Sequence, residues 1–157
     1  LDGDVGDEAA SLTLDQAAAQ LTDGLSDEQR AALLSAMTPR TIRTDEILFH
    51  AGDPGDTLYL VAAGIVRIEV AGPRGPLRIV SFSPGVVFGE MALLDGRPRS
   101  ATARAEADGA IFALTSAALD DASVRVPGLR AALMRNVARV LAVRLRDTTN
   151  YFRDAAL

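Results

Sequence analysis

The chain has 157 residues, of which 48% are hydrophobic, a formal net charge of −5 and no cysteine. This length fits one domain with a real core, and the missing cysteine excludes disulfides, thiolate metal sites and a cysteine nucleophile. No apolar run reaches the roughly 18 residues that a membrane span needs, and an acidic chain offers a poor surface for nucleic acid. We therefore expect a soluble, cytoplasmic domain, either free or as the cytoplasmic part of a membrane protein. Because the chain starts at Leu1 with no signal segment, we expect it to be part of something longer.

The N-terminal residues predict helices. Residues 1–8 are acidic and glycine-bearing, which is typical of a linker, and an alanine-rich stretch over 14–21 predicts a short helix. Ser26-Asp27-Glu28-Gln29 has the form of a capping box and predicts a second helix, which Pro39 ends. We therefore divide the chain into a linker with a short helix at 1–25 and a folded domain at 26–157.

A period of two then predicts a β-barrel over about 41–115. Short runs rich in branched apolar residues alternate with turns that contain glycine, proline and aspartate. Strands spaced this evenly favour a sandwich or a closed barrel. The runs are ILFHA, TLYLVAAG, IVRIEV, LRIVSF, VVFGE, ATARAEA and AIFALT.

Helical spacing returns after Ser116 and predicts C-terminal helices over about 116–153. Pro127 suits the first turn of a long helix that reaches about Phe152. One apolar stripe runs along this helix in steps of three or four residues. Its members are Leu129, Leu133, Val137, Leu141, Leu145, Thr148 and Phe152.

One segment, FGEMALLDGRPRSATA over 88–103, interrupts the strands with charged residues. A helical turn at Met91–Leu94 would leave free backbone N–H groups, which favour an anion. Arg99 adds a planar fork that matches two phosphate oxygens. Glu90 only accepts hydrogen bonds at neutral pH, so it needs a sugar hydroxyl or a second arginine beside it. A phosphate together with hydroxyls indicates a nucleotide or a sugar phosphate.

This segment resembles the phosphate-binding cassette of cyclic-nucleotide-binding domains, the family of the catabolite activator protein, protein kinase A regulatory subunits and nucleotide-gated channels. The resemblance covers roughly 37–150, because Gly52-Asp53, Gly64, Phe88-Gly89-Glu90 and the run from Pro98 to Thr102 follow the family's order and spacing. It implies an α+β, mainly β, fold: a jelly-roll barrel with N-terminal helices and a long C-terminal lid helix.

The resemblance also implies a role for each cassette residue. Glu90 would accept a hydrogen bond from the ribose 2′-hydroxyl, with the Gly89 N–H nearby. Arg99 would hold the phosphate, and the lid helix would bring Thr148 or Thr149 to the purine and Arg144 to Glu90. The remaining implied ligand-binding residues are Ile79 and Val80 at the base and Met91, Ala92, Ser100 and Ala101 in the cassette.

These features predict a sensor for cyclic AMP, with cyclic GMP as a second possible ligand, that regulates a covalently attached effector. Bacterial anion transporters and glutaminases are similar in their GEMALL and PRSAT segments, so a C-terminal regulatory domain of such a protein is one interpretation. A second copy of this chain, bound through the C-terminal helix as a homodimer, is a further candidate partner. The alternative is a degenerate member that acts as a protein-interaction module without nucleotide.

Other function classes lack the residues they need. His50 is the only histidine, whereas a cupin-type metal site or a Ser-His-Asp hydrolase needs clustered ligands or a G-x-S-x-G nucleophile elbow. We therefore expect no catalysis, and no DNA-reading element because no helix-turn-helix follows the long helix. Purely structural interpretations also remain open: an Arg99–Glu90 ion pair, a Thr148 hydroxyl bonded back to its own helix, and a solvated Arg144.

Overall fold

Two four-stranded antiparallel sheets, with helices before and after them, form the architecture of this protein. The computed structural model describes residues 11–156, apart from the side chain of Ala92; the linker predicted at 1–8 lies outside the described residues. The strand orders are β1-β8-β3-β6 and β2-β7-β4-β5. The elements are α1 (Leu14–Ala17), α2 (Ala19–Thr22), α3 (Asp27–Ala36), β1 (Thr38–Ile42), β2 (Ile47–Phe49), β3 (Thr57–Ala63), β4 (Val66–Gly72), β5 (Gly75–Phe82), β6 (Val87–Phe88), α4 (Met91–Asp95), β7 (Thr102–Ala105), β8 (Gly109–Thr115), α5 (Ser116–Arg125) and α6 (Leu129–Ala155). The predicted jelly-roll barrel between helices is confirmed.

Two capping boxes start the N-terminal helices. The Ser26 hydroxyl accepts from the Gln29 N–H while the Gln29 side chain accepts from the Ser26 N–H, as predicted. Thr13 and Gln16 form the same pair at the start of α1. This second box was not predicted, although T-L-D-Q carries the same signature.

The N-terminal helices share a core with the last helix. Ala17, Ala18 and Leu21 are buried together with Leu33 and Leu133. A domain boundary at 25/26 stays a prediction, and the observed packing joins residues on both sides of it in one hydrophobic cluster.

Pro39 lies in a strand and not at the helix end. Helix α3 stops at Ala36, and Pro39 belongs to β1, the edge strand that pairs with β8. An edge strand tolerates proline because one of its sides needs no ladder hydrogen bonds. The sheets therefore begin at Thr38, slightly before the predicted 41.

A tight backbone junction closes one end of the barrel. A Cβ placed on Gly109 would lie 2.0 Å from the Ala63 carbonyl oxygen, and one on Gly64 would lie 2.7 Å from the Asp108 oxygen. Gly64 also has a φ of 80°. Both glycines are needed because no side chain fits between these two turns.

Helix α6 is half buried and half exposed. Leu129, Leu133 and Val137 pack against the body of the domain, whereas Leu145 and Phe152 are 68% and 66% exposed. The predicted stripe is thus continuous in sequence but covered only in its first half. Within residues 11–156, no helix has the length and apolar character to span a bilayer.

Candidate functional site

A cavity of about 320 Å³ opens where the segment 88–101 meets the inside of the barrel. Residues of this segment form most of its wall. Phe49 and Ile68 from the barrel, Phe82 from β5 and Arg144 from α6 complete it. Five parts of the chain meet here, and α6 is more distant in sequence than the others, so the tertiary fold assembles the cavity.

Arg99 is the buried cation of this cavity, with 8% of its surface exposed. Its Nη1 donates to the Gly89 carbonyl at 2.9 Å and its Nη2 to the Thr57 carbonyl at 2.7 Å. The guanidinium carbon lies 4.2 Å from the centroid of the Phe49 ring. Burial lowers the pKa of Arg99, although an arginine keeps its proton at any physiological pH.

The Nε of Arg99 is buried and finds no acceptor among the residues that the structure describes. An unpaired donor on a buried cation is costly. This nitrogen has almost no accessible surface, so an anionic oxygen in the cavity would become its acceptor only after a small shift of the guanidinium. This orphan donor, beside a cavity of suitable size, is the clearest sign of a ligand site in the molecule.

The backbone around Arg99 is fixed by a neighbouring turn. The Gly52 N–H donates to the Arg99 carbonyl and the Arg99 N–H to the Asp53 carbonyl, both at 2.8 Å. Gly89 has a φ of 74°, and a Cβ there would lie 2.9 Å from Arg99 Nη1. Gly89 therefore makes room for the arginine as well as for the turn into α4.

Glu90 is paired with the last helix. It is 5% exposed, and Arg144 Nη1 donates to its Oε1 at 2.8 Å. Arg144 Nη2 also donates to the Val87 carbonyl, and its guanidinium carbon lies 5.0 Å from the centroid of the Phe82 ring. The second arginine that Glu90 was expected to need is thus Arg144, and Glu90 pairs with it instead of with Arg99.

The structure brings most of the cassette to the cavity. Gly89, Glu90, Met91, Arg99, Ser100, Ala101 and Arg144 all line it. Ala92 lies in the first turn of α4, where its N–H stays a predicted phosphate donor. The ligand contacts of all these residues likewise remain predictions.

Four predicted base-contacting residues stand outside the cavity wall. Ile79 and Val80 are exposed on β5, the edge strand of its sheet. Thr148 and Thr149 are exposed on α6, and their hydroxyls donate to the carbonyls of Arg144 and Leu145, each at 2.9 Å. A ligand would reach them only if β5 or the end of α6 moved towards the cavity, so their roles stay predictions.

The aromatic residues of the site were not predicted from the sequence. Phe49 and Phe82 line the cavity and belong to a stack with Tyr59 and Phe88, with ring centroids 5.1 to 6.4 Å apart. The available signal was weak: aromatics are 4% of the chain, yet three of these four, Phe49, Phe82 and Phe88, are the last residues of their strands.

Residues 11–156 contain no group of three or more histidine, cysteine, aspartate or glutamate side chains that could hold a metal ion.

Comparisons with known proteins agree with this geometry. The family described as cyclic nucleotide-binding domain matches residues 39–124. The Cyclic AMP receptor protein of Thermus thermophilus is 37% identical over 81% of this chain and 57% of that protein. Glutaminase 1 of Bradyrhizobium diazoefficiens is 32% identical over 85% of this chain and 21% of the enzyme.

A solved structure matches the fold closely. The crystal structure of a cyclic nucleotide-binding domain from Methylobacillus flagellatus superposes with a TM-score of 0.80 at 27% identity and covers 92% of this chain and 84% of that one. The chain spans less than two thirds of the length of the curated relatives that it matches.

Proposed function

Because the chain belongs to the cyclic nucleotide-binding domain family, we propose that it binds cyclic AMP and uses this binding to regulate a covalently attached effector. The observation that carries the proposal is the buried Arg99, whose Nε has no acceptor among the described residues. A cyclic phosphate is a monoanion with two exocyclic oxygens. It would neutralise the buried guanidinium and, after a small shift of that group, satisfy this donor.

The phosphate would lie between Arg99 and the start of α4. Two of the guanidinium nitrogens are already held by the carbonyls of Gly89 and Thr57, so the arginine is oriented before the ligand arrives. Such preorganisation lowers the entropic cost of binding. The Ser100 hydroxyl and the N–H groups of Ala92 and Ala101 are the further donors that we assign to the phosphate.

The ribose would lie at Glu90. A carboxylate accepts hydrogen bonds and cannot donate them, so it suits a 2′-hydroxyl. The positive charge of Arg144, on α6, compensates the negative charge of this buried carboxylate. The sugar would then contact the Glu90–Arg144 ion pair, which joins the cassette to the last helix.

The choice of cyclic AMP over cyclic GMP rests on the name of a 37% identical relative, the Cyclic AMP receptor protein, and on the threonines of α6. A hydroxyl accepts from an amino group or donates to an oxo group, so we expect a preference of only about tenfold, roughly 1.4 kcal/mol. If α6 closes over the base, Thr148→Val or Thr149→Val should cost about 0.5 to 1.5 kcal/mol in cyclic AMP affinity. Calorimetry on the two variants side by side tests this; no loss in either would rule out a base contact from these two threonines.

Titration calorimetry of Arg99→Ala tests the central proposal. We expect the wild type to bind one cyclic AMP per chain and Arg99→Ala to lose about 2 to 4 kcal/mol, because a desolvated phosphate loses its charged partner. Arg146→Ala, which removes an exposed arginine of α6, is the control and should bind normally. Absence of heat with cyclic AMP and cyclic GMP at millimolar concentration would instead support the alternative, a protein-interaction module.

We infer the attached effector from the small share of each relative's length that this chain matches. The chain matches 21% of Glutaminase 1 and 57% of the receptor protein, so in these relatives the domain accompanies other regions. We propose a regulatory, non-catalytic role by population shift, in which nucleotide favours one position of α6 over another. A cysteine-free chain suits a reducing compartment, so we place the domain in the cytoplasm, which cell fractionation checks.

We also propose that α6 mediates a homodimer. Its exposed second half continues a seven-residue pattern, with Met134, Leu141 and Thr148 on one position and Ala138, Leu145 and Phe152 on the other. Leu145 and Phe152 are largely exposed in the single chain. Sedimentation should show a dimer that Leu145→Asp dissociates, whereas Val124→Asp, on an exposed position of α5, should not; a wild-type monomer at high concentration would refute the proposal.

A further inference from the structure

The buried charge of Arg99 is compensated without an acidic partner. Among residues 11–156, no carboxylate lies within ion-pair distance of its guanidinium, and Glu90, the buried acid of the cavity, pairs with the last helix. The groups that contact Arg99 are neutral, and the carbonyls of Gly89 and Thr57 accept from its two Nη atoms. An incoming anion therefore has no carboxylate to displace from this arginine.

Phe49 supplies an aromatic surface beside this cation. The guanidinium carbon of Arg99 lies 4.2 Å from the centroid of the Phe49 ring and 5.8 Å from that of Tyr59. Both distances fall within the roughly 6 Å range of a cation–π contact. The two rings stack on each other with their centroids 6.0 Å apart. Phe49 is thus the ring in closer contact with the charge, and Tyr59 supports it from behind.

An irregularity in β2 directs Phe49 to this position. Ile47 pairs with Arg104 of β7 and Phe49 with Ala103, so two steps along β2 correspond to one step along β7. Neighbouring residues of a regular strand point to opposite faces, yet Leu48 and Phe49 both pack against the hydrophobic cluster between the two sheets. Bulges of this kind occur next to functional sites because they redirect a side chain.

We infer that Phe49 is a positioning residue for the phosphate: its ring fixes the plane of the Arg99 guanidinium and stands where an acidic partner would compete with the ligand. This inference rests on the proposed function and adds a residue to its phosphate site. A ring stacked on a guanidinium resists tilting of the plane but lets it slide, which is compatible with the small shift that brings Nε to an anion. The anion binds at the edge of the plane and the ring covers its face, so the two do not compete.

Loss of this ring should weaken phosphate binding. Without Phe49 the guanidinium gains space and more than one orientation. The apparent affinity then falls with the fraction of molecules in which Arg99 is oriented for the phosphate. A cation–π contact at a desolvated site accounts for about three- to thirtyfold in such a fraction.

The affinity of the full 157-residue chain for cyclic AMP, measured by calorimetry, tests the inference. Pentafluorophenylalanine in place of Phe49 keeps the shape of the ring but reverses its charge distribution, so we expect the affinity to fall about three- to thirtyfold. Phe49→Leu should lose about as much, whereas Phe49→Tyr, which keeps a π face, should stay within about twofold of the wild type. The same fluorinated residue in place of Phe112, on β8 and outside the cavity wall, is the control and should leave the affinity unchanged.

A second background separates the cation–π contact from packing. With Arg99 present, pentafluorophenylalanine at position 49 should lower the urea midpoint of unfolding, because the buried cation loses the ring that compensates it. Arg99→Met removes the charge, so in that background the same replacement should not lower the midpoint. The difference between the two backgrounds isolates the interaction of ring and charge.

The outcomes distinguish this inference from the proposed function. If the wild type binds cyclic AMP and the protein fluorinated at Phe49 binds it equally or more tightly, the ring only packs, and the inference is wrong while the proposed function stands. Equal losses of stability in the Arg99 and Arg99→Met backgrounds overturn the inference as well. If the wild type binds no cyclic nucleotide, the proposed function fails and the inference fails with it.

Discussion

Glu90 illustrates how a single residue can join a ligand site to a distant element. Its carboxylate is buried, and its partner, Arg144, is 54 residues away in sequence. A buried carboxylate without a donor would be costly. Any ligand group at Glu90 therefore has to bond with it alongside Arg144 or replace that arginine.

Replacing Glu90 should change how the protein discriminates between sugars. We expect the wild type to bind cyclic AMP better than 2′-deoxy cyclic AMP by about 1 to 3 kcal/mol, because the deoxy sugar leaves a buried acceptor without its donor. Glu90→Ala should bind the two ligands almost equally. Calorimetry measures the affinity of each protein for both ligands. If wild type and Glu90→Ala lose the same affinity when the 2′-hydroxyl is removed, Glu90 does not contact the ribose hydroxyl.

At the scale of the element, α6 is anchored at one point by a buried polar residue. Asn136 is buried, and its Nδ2 donates to the carbonyls of Leu21 and Asp23, at 2.7 and 2.8 Å, where α2 ends. Two turns later the same helix presents Arg144 to the cavity. The end of α2 and the cavity are thus linked through one rigid segment.

Removing this anchor should destabilise the domain. Asn136→Ala leaves the carbonyls at the end of α2 without their donors, so we expect a loss of about 1 to 3 kcal/mol in the free energy of unfolding. Asn150→Ala, at an exposed position of the same helix, should change stability by less than about 0.5 kcal/mol. Urea titration followed by circular dichroism measures both; equal effects would show that Asn136 is not an anchor.

The sequence predicted α6 well but not the point at which it leaves the body of the domain. Its stripe continues with the same spacing through Leu145 and Phe152, because residue spacing reports which face is apolar and not what covers it. The cassette was recognised from local order, since its residues are close in the chain. Arg144 was already the expected partner of Glu90. The Thr57 carbonyl that holds Arg99 was not expected, because only the tertiary fold brings it near and no local pattern reports such a contact.

At the scale of the whole molecule, a charged cluster ties the strands of one sheet together. Glu69 on β4 is 4% exposed and accepts from Arg104 of β7 at 3.0 Å and from Arg67 at 3.1 Å. Burial opposes the charged form of Glu69, but these hydrogen bonds and the charges of both arginines outweigh it, so its pKa lies below the ordinary value. The cluster therefore stabilises the fold only while Glu69 is ionised.

This lowered pKa predicts a dependence of stability on pH. A carboxyl whose pKa is lower in the folded state stabilises the protein above its unfolded pKa of about 4.3 and loses that contribution as the pH falls through the folded value. Glu69→Gln should therefore be less stable than the wild type by about 1 to 3 kcal/mol at pH 7. The difference in unfolding free energy between the two proteins should become smaller below about pH 4. The measurement is the unfolding free energy of both proteins from pH 7 down to pH 3. A difference between wild type and Glu69→Gln that does not change with pH would exclude a role for the charge of Glu69.

The aromatic stack beneath Arg99 gives the domain an optical signal of its own. The chain has two tyrosines and no tryptophan; Tyr59 lies in the stack, with its ring centroid 5.8 Å from the Arg99 guanidinium carbon, while Tyr151 is exposed on α6. An anion that binds Arg99 changes the electric field at the phenol of Tyr59, which is packed against other aromatic rings. Near-ultraviolet circular dichroism of the tyrosines, after the ligand's own signal is subtracted, would then respond to occupancy without a label.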